Sequence, residues 1–299
     1  MWGTMGLYVR HLTAAGMTSM QISWIRSIGS CLLFALILLI KDRSLFRFRL
    51  RDIWCFLGTG IASVTVFNYC YFQTINLTSL SVAAILLYTA PVIVMLLSAP
   101  LFKEKLTPKK LIALAATMAG CVLVTGVLTS APVLNPLGIL TGLMAGFGYA
   151  LYSIFSRYAM NRGYHTLTIN FYTFCFSALA LTPLAGLPGL FGIIREGQAP
   201  WLWIVLLILI ASVGPYLLYT LGLTETENGK AAILASTEPV MAAFLGIVVF
   251  HEAMDWMTLC GIALVLGAIV LLNLPVRSKP VQTELSKSIP DQEKEENHD

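Results

Sequence analysis

Apolar stretches of roughly 20 residues, the length a helix needs to cross a bilayer, recur along the whole chain between short polar links. They run over 18–40, 53–75, 80–102, 111–128, 137–160, 167–181, 201–223, 231–252 and 256–274. An opening stretch, 1–12, is too short to cross at about 1.5 Å per residue. Only a few residues separate 53–75 from 80–102, so these two are expected to form a tight antiparallel hairpin. Small residues spaced by four predict close helix packing, through Ala115 with Ala119, Ala116 with Gly120, Gly142 with Gly146, and Ala263 with Gly267. Pro91, Pro215 and Pro239 lie inside apolar stretches and are expected to kink them, freeing backbone groups at mid-depth.

The pattern repeats. Ala83 to Glu104 and Ala231 to Glu252 match at 10 of 22 positions when offset by 148 residues, against about one in ten for unrelated apolar strings. The match extends further, with Tyr71 falling on Tyr219 at the same offset, and Gly16 on Gly163 and Arg10 on Arg157 one residue shorter. The chain is therefore read as a duplication, with a first repeat over 1–128, a second over 137–274, and an acidic, disordered tail over 275–299. Five spans per copy make the copies inverted. The second copy's start at 137 maps, at the offset of 147, to a position about ten residues before Met1, so the true first helix is expected to begin upstream.

Composition agrees with a membrane solvent: 57% of residues are hydrophobic and 11% charged, against about 25% charged in soluble domains. The net charge of +4 does not point to nucleic acid, because Lys and Arg cluster in short links between apolar spans. By the positive-inside rule the links carrying Lys41 to Arg51, Lys103 to Lys110, and Arg157 with Arg162 face the cytoplasm, as does the C-terminus. Six cysteines lie inside apolar spans without C-x-x-C spacing, and His251-Glu252 fails the H-E-x-x-H pattern at Asp255. No metal site, cofactor or catalytic set is expected.

Two ionisable residues lie well inside the apolar depth, Arg26 and Glu238, each costing about 2.5–3.5 kcal/mol there if left charged and unpartnered. They sit at similar depth, which permits a pair across a cavity without establishing one. Tyr71, Tyr88, Tyr149, Tyr152 and Tyr219 have two readings, as cavity lining or as packing between helices. Glu104 and Glu252 at helix ends read first as solvated boundary residues.

Trp2-Gly3, Arg26, the Tyr71 region followed by AAILLYTAP and Glu104, and the second-copy echo through EPV to FHE together resemble the EamA-type branch of the drug/metabolite transporter superfamily. The resemblance implies an all-α polytopic membrane protein of ten helices, in two inverted five-helix repeats around a central cavity. It further implies a secondary transporter of the plasma membrane that moves small organic metabolites such as amino acids, often outward, by alternating access. The expected partners are that solute and the lipid bilayer, with a homodimer as an option. The rival readings are an intramembrane enzyme and a membrane partner protein that transports nothing.

Overall fold

In a computed structural model the described residues, 1–125, 128, 135–197, 199–250 and 255–274, are helices joined by short links, with no strand among them. The helices are α1 (Met5–Ala14), α2 (Ser19–Lys41), α3 (Leu50–Leu77), α4 (Leu80–Phe102), α5 (Pro108–Val124), α6 (Pro136–Asn161), α7 (Thr166–Leu184), α8 (Trp201–Glu225), α9 (Asn228–Val249) and α10 (Trp256–Asn273). A short helix, Leu187–Arg195, joins α7 to α8. Eight of these are long and apolar enough to cross a membrane, and α1 and α5 are shorter. The chain is thus a multi-pass membrane protein. The tail, His251 and Glu252 lie outside the described residues.

Helix starts follow local chemistry. Thr18 opens α2 with a capping box: its N–H donates to Gln21 Oε1 at 2.8 Å, while its hydroxyl accepts from Gln21 N–H at 3.3 Å. Asp255 caps α10 through Thr258, whose hydrogen bonds hold the Asp255 carboxyl below the usual carboxylate range. Gly16 and Gly163, paired by the duplication, both take a left-handed turn, φ 85° and 83°, between consecutive helices.

Departures from regular helix fall at matched places. A wide, π-type turn interrupts α3 over Gly58–Thr65 and α8 over Leu209–Val213. At Pro215 the irregularity in α8 is the π-type turn just before it, and regular helix resumes at Gly214. Pro91 and Pro239 do not bend continuous helices. Each stands at the start of a new half-helix, after a break at Tyr88–Thr89 in α4 and at Ser236–Thr237 in α9. At both breaks a threonine hydroxyl donates to the carbonyl three residues earlier, Thr89 to Leu86 at 2.6 Å and Thr237 to Leu234 at 3.1 Å.

The helices pack in pairs, α2 with α7, α3 with α6, α4 with both α6 and α9, α1 with α8, and α5 with α10. In the last pair the packing meets the expectation through Ala116 with Gly120 and departs from it elsewhere. Ala115, Ala119, Ala263 and Gly267 face outward, while Gly120 and Gly261 meet at the crossing. A β-carbon on Gly120 would lie 2.7 Å from the Gly261 carbonyl oxygen, and one on Gly261 would lie 2.6 Å from that of Gly120. The neighbours are reciprocal as well, Val265 against Gly120 and Val124 against Gly261. The expected face of Gly142 and Gly146 does pack inward, against Leu86 and Thr89 at the break in α4.

Candidate functional site

The breaks in α4 and α9 face each other across a small cavity lined by Leu87, Tyr88, Ala90, Pro91, Tyr149, Ala232, Ala235, Ser236 and Glu238. Glu238 is half-buried and is the first residue of its half-helix, where the unpaired amides of the first turn favour negative charge. Its carbonyl lies against Gly3, so the Trp2-Gly3 pair and Glu238 are neighbours.

A second small cavity shares Tyr149 with the first and is walled by Trp2, Ser63, Phe67, Tyr152, Ser153, Tyr216 and Tyr219. Its wall is aromatic and ordered. Trp2 meets Tyr216 at 5.3 Å between ring centroids, Tyr219 at 5.5 Å and Tyr149 at 6.1 Å, and Tyr152 meets Tyr216 at 5.0 Å, edge to face. The hydroxyls are held too. Tyr152 donates to Asn170 Oδ1 at 3.0 Å and lies 2.6 Å from the Thr220 hydroxyl, and the Tyr219 hydroxyl lies 2.7 Å from that of Ser153. Both π-type turns border this cavity, which receives Ser63 from the α3 turn and Tyr216 from just beyond the α8 turn.

Arg26 is fully buried behind it. Its Nη2 donates to Asn68 Oδ1 at 3.0 Å and its Nη1 to Met5 Sδ at 3.1 Å. Nε has no hydrogen-bond partner among the described residues, and no carboxylate there lies within 4.0 Å of the guanidinium. Asn68 also accepts from Ser23 and donates to the Val64 carbonyl at 2.6 Å, next to Ser63 of the cavity wall. The direct pair between Arg26 and Glu238 that equal depth permits is not made, because Arg26 turns to α1 and α3 instead.

Of the expected tyrosines, Tyr88, Tyr149, Tyr152 and Tyr219 line one cavity or both. Tyr71 lines neither, and its ring packs on Phe67 at 5.7 Å and on Phe72. Pro91 lines the first cavity, while Pro215 and Pro239 line neither. Sequence reasoning missed Tyr216, Ser153, Phe67 and the wall role of Trp2. The aromatic doublet Tyr216 and Tyr219 one helical turn apart was the available signal. No group of three or more His, Cys, Asp or Glu among the described residues is placed to hold a metal ion.

Residues 1–126 and 136–274 match the model of the EamA-like transporter family. An uncharacterized transporter of Archaeoglobus fulgidus is 31% identical over 71% of this chain and 75% of its own length. The uncharacterized transporter YwfM of Bacillus subtilis is 26% identical over 77% of each chain. A solved crystal structure superposes with a TM-score of 0.74 at 19% identity, covering 91% of this chain and 92% of the other, a likeness of fold. The family match over nearly all the described helices, with relatives named as transporters, leads to one conclusion: this chain belongs to the EamA-like transporter family.

Proposed function

We propose that the protein is a secondary transporter that exports small organic metabolites, such as amino acids, across the plasma membrane by alternating access around the two neighbouring cavities. The reading takes α1–α10 as ten membrane helices in two inverted five-helix repeats, with the C-terminus in the cytoplasm. The observation that carries it is the pair of matched breaks in α4 and α9, which bring two half-helix starts to one cavity. Discontinuous helices at equivalent places in two repeats are how transporters form a solute site at mid-depth. The pairing of α2 with α7, α4 with α9 and α5 with α10, each joining equivalent helices of the two copies, supports the same reading.

The chemistry of the walls suits an amphoteric solute. Glu238 offers a carboxylate, Arg26 a guanidinium behind the wall, and the rings of Trp2, Tyr149, Tyr216 and Tyr219 present faces that attract an ammonium group. Purified protein in sealed proteoliposomes, loaded with a panel of labelled amino acids and related metabolites, tests this directly. Movement of at least one solute, saturable and above that of empty vesicles, is expected. Absence of movement for every solute, together with turnover of a lipid-linked substrate, would replace transport with catalysis.

Topology has its own test. Single cysteines at Asp255 and Lys109, in a chain whose native cysteines are replaced, should react with an impermeant maleimide from opposite sides of sealed cells. Reaction of both from one side removes the inverted arrangement.

A further inference from the structure

The end of α4 is tied across the molecule to the start of α9 by contacts that neither cavity uses. Lys103 closes α4 with φ 57°, the sole non-glycine residue in the left-handed region among the described residues. Such strain persists where the surroundings hold it, and its effect here is to turn the chain so that Glu104 reaches α9. Glu104 Oε1 accepts from Asn228 N–H at 2.7 Å, and Oε2 from Gly229 N–H at 3.1 Å. These are the first amides of α9, which have no partner within their own helix and form its positive end.

Asn228 is fully buried and extends the network. Its Oδ1 accepts from Arg157 Nε at 2.9 Å, its Nδ2 donates to Ser98 Oγ at 3.3 Å, and Arg157 Nη2 donates to the Thr226 carbonyl. One carboxylate, one amide and one guanidinium thus join α4, α6 and the turn between α8 and α9. The position of this cluster is what gives it meaning. Arg157 lies four residues beyond Ser153 of one cavity, and Asn228 four residues before Ala232 of the other, so each is about 6 Å further along its helix. Ser98 and Thr226 lie seven residues beyond the lining residues Pro91 and Tyr219, about 10 Å. All four helices are therefore drawn together between the cavities and the end of the bundle that carries Lys103 and Lys110.

We propose that Glu104, Asn228 and Arg157 form a latch that shuts this end of the solute path and must part for the cavities to open there. The proposal rests on the transport reading above. The bonding type fits a contact made to be broken. Hydrogen bonds to charged groups exchange for water when they part, so their net contribution is modest, whereas the apolar crossing of Gly120 and Gly261 has no such exchange.

The test uses the full chain in sealed vesicles, with the six native cysteines replaced and Ser153→Cys as reporter, and an impermeant maleimide applied from the side of Lys103 and Lys110. Glu104→Gln and Asn228→Ala should each raise the labelling rate about tenfold, the shift that loss of one charge-assisted hydrogen bond gives. Glu104→Asp, which keeps the charge on a shorter stem, should fall between. Glu227→Gln, on an exposed neighbour paired with Lys110, should leave the rate unchanged. An unchanged rate in Glu104→Gln and Asn228→Ala would overturn the latch, and a fall in thermal stability without faster labelling would reduce the cluster to a fixed helix cap. The readout needs no solute. Faster labelling in a protein that moves none of the panel would count against the transport reading and leave the latch standing.

Discussion

Glu238→Gln is expected to abolish transport while the protein still accumulates in the membrane at its normal level. The amide has the shape of the carboxyl group and retains hydrogen-bonding capacity, so the half-helix that starts at residue 238 keeps its packing. What disappears is an ionisable carboxyl group facing the cavity beside Tyr88 and Tyr149. In the transport reading the carboxyl meets a cationic group of the solute, and losing one partner of such a contact costs about 2–5 kcal/mol. Transport should therefore fall by at least about thirtyfold, toward background. Arg26→Ala should abolish it as well, for a related reason. The guanidinium is the only cation in the layer behind the aromatic wall, among the described residues, and its Nε holds no partner there. Arg26 also braces α1 and α3 through Met5 and Asn68, so Arg26→Lys is the informative companion: it keeps the charge and loses the two-pronged geometry. Initial rates in proteoliposomes, normalised to folded protein, and melting temperatures separate the roles. Lower abundance and melting temperature with normal transport per folded molecule would reduce both residues to braces between helices.

The second large effect concerns stability. Gly120→Leu and Gly261→Leu should each lower stability by about 1–3 kcal/mol or more, because the new side chain meets backbone, which cannot rotate away. The added β-carbons would fall 2.7 Å and 2.6 Å from the opposing carbonyl oxygens. Ala115→Leu and Ala263→Leu, on the outward faces of the same two helices, should stay within about 0.5 kcal/mol of the parent. Thermal unfolding in one detergent compares all four. Equal losses at Ala263 and Gly261 would show that the crossing is not where the two helices touch.

That contrast also explains what the sequence could and could not reveal. The long apolar runs were legible because a bilayer demands them, and the breaks at Thr89 and Thr237 were signalled by the repeated Thr-x-Pro at a fixed offset. The inner face of α5 was legible in part, through Ala116 and Gly120, and that of α10 was not. In lipid the outer face is as apolar as the inner one, so hydrophobic period carries no information about burial, and small residues occur on both. The aromatic wall was half legible: the tyrosines stand out by type, yet bringing Trp2 onto Tyr216 joins residues more than 200 positions apart. Glu104 was the plainest miss. Its partners are backbone amides 124 and 125 residues away, and a backbone amide has no signature in any one letter of the chain.

One asymmetry in the matched breaks has a consequence for energetics. At the first residue of the new half-helix the first copy has Ala90 and the second has Glu238. In the transport reading, two conformations that exchange the roles of the copies would be related by a two-fold rotation, and equally populated, if the copies were identical. An acid on one copy alone removes that equality, and an ionised Glu238 carried across the membrane field would add a voltage dependence of about 2.3 kcal/mol per 100 mV. In the transport reading the duplication would supply two rest positions, and Glu238 is one of the differences between the copies that would bias the empty protein toward one of them.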